Sequence, residues 1–576
     1  MNDQKLENSL NLALEATKGE LEKLAELEAG FDRESGSWEL IVRYNGDLEE
    51  ALAFLPEVEA QILTGGYAVL RVPEPLVDSL ASLPQIEYVE KPKLLNFAVN
   101  QGRTASCMNP MQAGPDGLTG RGVIVAVIDS GIDFFHEDFR NPDGTTRLLE
   151  LWDQQLERVF TRQEINEALG QDSREKGEAL VPSRDLSGHG TAVAGIAAGN
   201  GRESGGTYRG AAYESEILAV RLGVPGERSF PRTTELMRAL DYVVNRALFY
   251  QKPAAVNLSF GNTYGSHDGT SLLETYIDQL SNQWKTVIVT GTGNEGSSRG
   301  HAAGRYEMGK DTEIELSVAE YETGFGIQLW KLYADIVEIS VVSPGGISTG
   351  VLSRRLGAQR IPMGSTELLV YYGKPSPYSQ AQEIYLNLLP VGSYVQSGIW
   401  KIRLTPRKVA VGQYDLWLPG GGSLNRATRF LVSDPDTTLT IPSTASRVIS
   451  VGAYDDSYLS YADFSGRGYT RLNTSVKPDL AAPGVGLAAP GGGIMAPRAG
   501  GGYGPVTGTS FAAPFVSGSA ALMMEWGIVR GNDPFLYGEK VKAYLIRGAR
   551  PLPGETIYPN QRLGFGRLCL EDSFPV

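Results

Sequence analysis

The 576-residue sequence predicts an α/β protein, a parallel sheet flanked by helices, that also carries an N-terminal α+β domain and a β-rich insertion. Three near-continuous apolar runs indicate the sheet: "GVIVAVID" (122–129), "AAVNLSFG" (254–261) and "KTVIVTGTG" (285–293). Runs of this kind are typical of parallel strands that are buried on both faces. Helical patterns at 191–199 and 233–249 lie between them, which is the order of elements expected for an α/β core.

A different pattern interrupts this core between residues 303 and 436. Seven short segments of alternating polarity occur there, from "TEIELSV" to "YDLWLPG", and several turns between them contain Pro or Gly. This pattern predicts a β-sandwich or jelly-roll insertion. The α/β pattern resumes at "RVISVGAYD" (447–455), so we assign 99–302 and 437–576 to one domain and 303–436 to the insertion.

The first 98 residues form a separate predicted unit. Leucines at helical spacing predict an amphipathic helix over residues 5–28. The predicted strands and helices that follow are 38–44 (strand), 48–55 (helix), 67–73 (strand), 74–83 (helix) and 86–92 (strand). This order suits an antiparallel sheet with two helices on one face. The stretch 94–110 has no periodicity and is predicted to be a linker.

Composition excludes several functions. The net charge is −15 without a block of Lys or Arg, which disfavours nucleic-acid binding. The sequence contains no run of 18 apolar residues, so no membrane span is predicted. The acidic, periodic N-terminus does not have the pattern of a secretion signal, so we expect synthesis in the cytoplasm. Cys107 and Cys569 are far apart and outside any CxxC, which predicts free thiols and neither a metal site nor a cofactor.

Three polar stretches lie where a strand ends or a helix begins. They hold Asp129 in "VAVIDSGID", His189 in "SGHGTAVAG" and Ser510 in "TGTSFAAPFVSG". Each residue alone has an ordinary structural explanation, because Asp can cap a turn, a histidine between glycines can be structural, and Ser is a common helix N-cap. Together they supply a nucleophile, a base and a carboxylate that orients the base, in the order Asp, His, Ser.

These three stretches resemble the signature blocks of the subtilisin-like serine proteases. The resemblance implies a subtilisin-like α/β fold with Asp129 as the orienting acid, His189 as general base and acid, and Ser510 as the nucleophile. "GTGNEG" (291–296) resembles the oxyanion block of the family, which implies that Asn294 donates to the tetrahedral intermediate. Without the other blocks, the first interpretation of Asn294 is a turn-forming residue before Glu-Gly.

"NLSFG" (257–261) resembles the family strand that pairs with an extended substrate and walls its specificity pocket. The implied substrate-binding residues are Leu258, Ser259, Phe260 and Gly261.

The sequence departs from the family pattern at three positions. Ala192, Phe511 and Phe515 stand where many members have His, Met and His. None of these changes removes a triad atom, so an active enzyme is expected with an altered pocket. The remaining histidines, at 136, 267 and 301, are expected to be structural or exposed to solvent.

Residues 36–98 resemble the inhibitory propeptide of these proteases, which leaves its tail in the active-site cleft. Cleavage is therefore expected within residues 96–101. The spacing of 216 residues between Asn294 and Ser510 holds the insertion. Prodomain, insertion and missing signal together resemble the Csp germination proteases of spore-forming clostridia, which implies cleavage of a cortex-lytic hydrolase precursor and a location in the spore.

Two other functions stay open at this stage. A peptide-binding or signalling scaffold could keep the fold and the triad without turnover, with its propeptide permanently bound. An esterase is disfavoured because no G-x-S-x-G motif in the sequence is followed by Asp and then His, which is the order of the triad in that class. A metallopeptidase is disfavoured because the sequence lacks HExxH.

Overall fold

The computed structural model describes residues 4–575 except 22–24, 34, 94–95, 98–103, 114–116, 225–230, 356, 421, 474 and 487–492. The N-terminal unit contains, in chain order, α1 (Asn8–Glu15), α2 (Lys18–Leu21), α3 (Ala25–Glu28), β1 (Phe31–Asp32), β2 (Ser37–Tyr44), α4 (Leu48–Leu52), β3 (Glu59–Leu63), β4 (Tyr67–Pro73), α5 (Val77–Ser82) and β5 (Ile86–Glu90). Its strands form an antiparallel sheet in the order β1-β2-β4-β3, with β5 also paired to β2.

The single helix predicted over residues 5–28 is wrong, because the segment is divided into α1, α2 and α3. Ala16, at the end of α1, has extended backbone angles. The backbone N–H and the hydroxyl of Thr17 both donate to the Glu20 carboxylate, at 2.6 and 2.9 Å. These two bonds lie at the start of a new helix, α2. The interruption between α1 and α2 depends on Thr17 and Glu20, so the spacing of the leucines alone does not reveal it.

The segment after the N-terminal unit contains β6 (Asn96–Phe97) and α6 (Asn109–Gln112). The predicted cleavage window, 96–101, lies outside the described residues except for this short strand.

Cys107 and Cys569 form a disulfide with their Cα atoms 4.8 Å apart. The expectation of free thiols is therefore wrong, and the cause is that residues 462 positions apart in sequence are adjacent in the fold.

The α/β domain begins with β7 (Ile124–Asp129), β8 (Leu148–Asp153), β9 (Arg158–Thr161), α7 (Arg162–Leu169), α8 (Arg174–Leu180), α9 (His189–Ala198), β10 (Glu216–Arg221), α10 (Thr233–Phe249), β11 (Ala254–Leu258), β12 (Phe260–Gly261), α11 (Leu272–Leu280) and β13 (Thr286–Gly291). The insertion then contributes β14 (His301–Arg305), β15 (Thr312–Val318), β16 (Phe325–Leu332), β17 (Ile336–Val342), β18 (Gln359–Met363), β19 (Thr366–Tyr372), β20 (Ala381–Pro390), β21 (Gly398–Lys408), β22 (Gln413–Trp417) and β23 (Arg429–Phe430).

The α/β domain ends with β24 (Ile449–Asp455), β25 (Ser460–Tyr461), β26 (Leu480–Val485), β27 (Ile494–Pro497), β28 (Tyr503–Val506), α12 (Thr509–Met524), α13 (Glu539–Arg547) and α14 (Leu570–Ser573). Its main sheet has the order β25-β24-β13-β11-β7-β10-β8-β9, with β26 beside β24. The central strands are parallel and every residue of β7, β11 and β13 is buried, as the apolar runs predicted.

Helix α12 continues through a π-helical turn, Glu525–Val529. By length and composition alone, this stretch from Thr509 to Val529 could cross a membrane, but 83% of its most apolar part is buried inside the protein. It packs against α9 and the main sheet as a core helix.

The insertion is a sandwich of two antiparallel sheets, ordered β14-β22-β16-β20-β19-β18 and β17-β21-β15-β23. Their inner faces enclose a hydrophobic core of their own. The outer face of β19 and β20 packs on the N-terminal unit, because Leu369, Tyr371, Tyr385 and Leu389 belong to the same buried cluster as α1 and the sheet of that unit. Ile41, Tyr67 and Val69 of the N-terminal sheet belong to a second buried cluster with residues of α10 and α11, so the N-terminal unit contacts both other parts of the chain.

Candidate active site

Asp129 ends β7, at the carboxyl edge of the parallel sheet, and its side chain is completely buried. Its Oδ1 atom accepts hydrogen bonds from the backbone N–H of Ser130 at 2.7 Å and from Nδ1 of His189 at 2.6 Å. Charged acceptors make such bonds short and strong. The carboxylate thereby fixes both the orientation of the imidazole and the tautomer that carries its proton on Nδ1.

His189 is the first residue of α9, and the glycines on either side of it have separate physical reasons. Gly188 caps the helix with φ of +74°, a conformation that side chains disfavour. A Cβ atom on Gly190 would lie 2.1 Å from the carbonyl oxygen of Gly131, so only glycine lets α9 approach the end of β7. Both glycines bring His189 to Asp129.

Asp185 is a polar residue of this site that the sequence analysis did not identify. Its carboxylate accepts hydrogen bonds from the backbone N–H of Gly188 at 2.9 Å, and from the N–H and hydroxyl of Thr191 at 2.8 and 2.7 Å. It also accepts from the hydroxyl of Ser130 at 2.8 Å. Asp185 thus joins the residue after Asp129 to the turn that holds His189. In the sequence, the only indication of this role was that Asp185 lies three residues before Gly188, the first glycine of the turn.

Ser510 is the second residue of α12, where the backbone N–H groups of the first turn lack helical acceptors. The side chain is buried, with 4% exposed, and its hydroxyl donates to the carbonyl of Ser259 at 2.7 Å. The ring of His189 packs against Phe511, with centroids 5.2 Å apart. The structure therefore brings the imidazole to the first turn of the helix that carries Ser510.

Asn294 follows β13 and is fixed by the same helix. Its Oδ1 atom accepts from the backbone N–H of Thr509 at 3.1 Å and from the Thr509 hydroxyl at 3.3 Å. Because the carbonyl end of the side chain is used in this way, the amide nitrogen is the end that can donate to a substrate oxygen.

A pocket that is open to solvent lies beside Ser510 and Asn294. It is lined by Ser510, Thr509, Asn294, Glu295, Gly291, Gly293, Ser259, Phe260, Gly261, Asn262, Thr263, Gly420 and Thr440. Three of the four predicted substrate-binding residues, Ser259, Phe260 and Gly261, line it. Leu258 does not, because its side chain is completely buried in the hydrophobic core.

The wall strand β12 already has a partner strand. Phe260 and Gly261 pair antiparallel with Phe97 and Asn96 of β6, the segment that follows the N-terminal unit. An extended chain segment therefore lies along the pocket that contains Ser510.

The other three histidines, His136, His267 and His301, are each at least 98% buried. Of the two roles expected for them, the structural role is therefore the one found, and none of the three is exposed to solvent. Among the residues described, the only grouping of metal-ligand types is Cys569, Glu571 and Asp572. Cys569 is in the disulfide and Asp572 pairs with Arg550, so these atoms already have partners.

The fold and the site define a class of protein in which a parallel α/β sheet presents an Asp–His pair and a helix-borne serine, here beside a strand that pairs with an extended segment of the chain. Comparison with known proteins agrees with this class. The model of the subtilase family of peptidases matches residues 120–384 and 428–566, and the chain belongs to this family. A model of the Csp protease B prodomain matches residues 4–93.

A solved structure of the CspB protease of Clostridium perfringens is similar, with 38% identity and a TM-score of 0.75 over 82% of this chain and 97% of that one. The minor extracellular protease Vpr of Bacillus subtilis is 26% identical over 78% of this chain. The serine protease AprX of the same species is 34% identical over 25% of this chain. The matches span about half the length of Vpr and a third of AprX.

Proposed function

We propose that the protein is a serine endopeptidase that cleaves its own chain after the N-terminal unit and then cleaves a specific protein precursor. The single observation that carries this proposal is the pairing of β6 with β12. A segment of the chain itself pairs with a strand that lines the pocket containing Ser510 and Asn294, and an extended substrate would bind by the same kind of pairing.

In the proposed reaction the Ser510 hydroxyl attacks the carbonyl carbon of the scissile peptide while His189 removes its proton. Asp129 holds the imidazole and stabilises its charged form, as the 2.6 Å contact supports. The amide nitrogen of Asn294 and the backbone N–H of Ser510 donate to the oxyanion of the tetrahedral intermediate. His189 then gives its proton to the leaving amine, and water releases the acyl group from Ser510.

Mass spectrometry of the N-termini of the purified protein tests the autoprocessing step. The wild-type chain should give a second N-terminus within or directly after residues 96–101, whereas a Ser510→Ala chain should remain intact. A Ser510→Ala protein that is cut at the same position would show that another protease makes the cut.

We further propose that the substrate is the precursor of a cortex-lytic hydrolase and that the protein acts in the spore during germination. Support comes from the match of residues 4–93 to the Csp protease B prodomain and from the likeness to CspB at 38% identity. Incubating the protein with such a precursor should yield one new N-terminus, and the Ser510→Ala protein should yield none.

A scaffold without turnover is the second candidate. It is favoured by the packing of the N-terminal unit, whose hydrophobic core continues into the insertion and which would not leave easily. Such a protein would cut itself once at most and would cleave no added substrate, so repeated turnover of an added peptide decides between the two functions.

A further inference from the structure

One wall of the substrate pocket is the loop Asn262–His267, which we call the wall loop. Asn262 and Thr263 line the pocket directly, and Gly420, from the segment after β22 of the insertion, lines it beside them. A Cβ atom on Gly420 would lie 2.6 Å from Cγ2 of Thr263 and 3.1 Å from the Glu295 carboxylate, so the insertion is in close contact with this wall.

Hydrogen bonds attach the wall loop to two strands of the insertion. The hydroxyl of Thr263 donates to the carbonyl of Leu418 at 2.7 Å, just after β22. The hydroxyl of Tyr264 donates to the carbonyl of Gly326 in β16 at 2.9 Å. All these groups are buried, so losing these hydrogen bonds would cost free energy.

Gln328 of β16 provides a third attachment, this time to the loop backbone. Its Oε1 atom accepts from the N–H of Gly265 at 2.8 Å, and its amide nitrogen donates to the hydroxyl of Tyr385 in β20 at 2.8 Å. The position of the loop backbone is thus set by the side chain of Gln328. The insertion holds this side chain through its own strand β16 and through the bond of the amide nitrogen to Tyr385.

Ring stacking fixes the far end of the wall loop. His267 stacks on the indole of Trp417 at 4.2 Å and His301 stacks on its other face at 4.7 Å. Burial lowers the pKa of His267 to about 4, so this ring is neutral at neutral pH and the stack carries no charge from it.

Two buried side-chain atoms of the wall loop, Nδ1 of His267 and Nδ2 of Asn262, have no hydrogen-bond partner among the described residues, and of these two residues only Asn262 lines the pocket. Oδ1 of Asn262 accepts from the N–H of Tyr264 at 2.9 Å, but the buried amide nitrogen has no hydrogen-bond partner among the described residues. A buried donor of this kind is costly unless something bonds to it. A substrate side chain with a hydrogen-bond acceptor, inserted in the pocket, would satisfy it.

We infer that the insertion is part of the specificity pocket: it positions the wall loop so that Asn262 selects a substrate side chain ending in an uncharged hydrogen-bond acceptor. In this inference, which rests on the proposed endopeptidase function, Asn262 contacts the substrate, whereas Tyr264 and Gln328 are positioning residues. An acidic side chain is disfavoured because Glu295 also lines the pocket.

The test compares two peptides that differ only in the residue before the cleaved bond, glutamine in one and methionine in the other. These side chains have similar length, but only glutamine carries an acceptor oxygen. The ratio of their kcat/KM values is unaffected by competition from the chain's own β6 segment, which lowers both values equally. We expect the wild-type protein to prefer glutamine by about tenfold or more, and Asn262→Ala to bring the ratio close to one.

The double variant Tyr264→Phe with Gln328→Met removes two attachments without touching the pocket lining and should lower the ratio at least about threefold, through KM more than kcat. Tyr306→Phe is the matched control, since it removes a 2.9 Å hydrogen bond to Asp335 inside the insertion, away from the wall loop. The control should keep the wild-type ratio. If the double variant does not fold, Tyr264→Phe alone serves.

A wild-type ratio near one, or an unchanged ratio in the double variant, would overturn the inference while leaving the endopeptidase function intact. Failure to cleave either peptide would also overturn it. Labelling of Ser510 by a fluorophosphonate then shows whether the endopeptidase function fails as well, because that reaction does not require a filled pocket.

Discussion

Replacing Asn294 by alanine should slow peptide-bond hydrolysis by about 100- to 1,000-fold, which corresponds to about 3–4 kcal/mol of transition-state stabilisation. The structure identifies the atom that is lost. Because Oδ1 of Asn294 accepts from the N–H of Thr509 at 3.1 Å, the amide nitrogen is the atom that would donate to the oxyanion in the proposed reaction. The loss should fall on kcat with little change in KM, since a neutral substrate carbonyl gains less from this donor than an oxyanion does.

Steady-state cleavage of a peptide, measured beside a thermal unfolding curve, is the assay. Alanine also removes the acceptor for Thr509, which could displace α12, so Asn294→Asp is the matched variant. It keeps an oxygen for the Thr509 N–H but has no donor, and its negative charge lies beside the oxyanion. We expect a loss at least as large as that of alanine. Full activity in Asn294→Asp, or a loss under tenfold in Asn294→Ala, would refute the assigned role.

Three further predictions concern other parts of the chain. Asp129→Asn should lower kcat about 10⁴-fold without unfolding the protein, because the imidazole loses the tautomer and orientation that Asp129 imposes; peptide kinetics with circular dichroism as control check this, and a loss under about 30-fold would contradict it. Burial, reinforced by the charge of Glu7, raises the pKa of Glu383 from 4.5 to about 8, so the contribution of Glu383 to stability should be complete below pH 4.5 and should be lost, by as much as about 5 kcal/mol, as the pH rises from 4.5 through 8. Thermal unfolding at several pH values should show a smaller decline for Glu383→Gln, and parallel curves would exclude the effect. Cys107→Ser removes the disulfide to Cys569, which closes a loop of 462 residues, and should cost about 2–4 kcal/mol of stability. The melting temperature of the variant should fall to that of the reduced wild-type protein. Equal melting temperatures of the variant and the wild-type protein under oxidising conditions would contradict this prediction.

The sequence predicted the α/β core well because its periodicities are local. The helix predicted at 233–249 has those bounds as α10, and β7, β11 and β13 lie within the three apolar runs. All seven predicted segments of the insertion are strands. In contrast, β3 was missed, because four of its five side chains are exposed and give no apolar alternation.

The site was predictable only where local motifs carried it. Asp129, His189, Asn294 and Ser510 each lie in a short stretch with a recognisable pattern, whereas Asp185 binds the backbone and hydroxyl groups around the glycine turn and its only signal was its position three residues before that turn. The disulfide, the packing of the insertion on the N-terminal unit and the attachment of the wall loop depend on residues far apart in sequence. Only their juxtaposition in the fold reveals them.

The central claim is that Asp129, His189 and Ser510 act as one unit. Labelling with a fluorophosphonate, followed by mass spectrometry of the modified peptide, tests it most directly. The wild-type protein should be modified at Ser510, and His189→Ala should react at least about 1,000-fold more slowly. Modification of another serine, or equal rates for the two proteins, would contradict the claim.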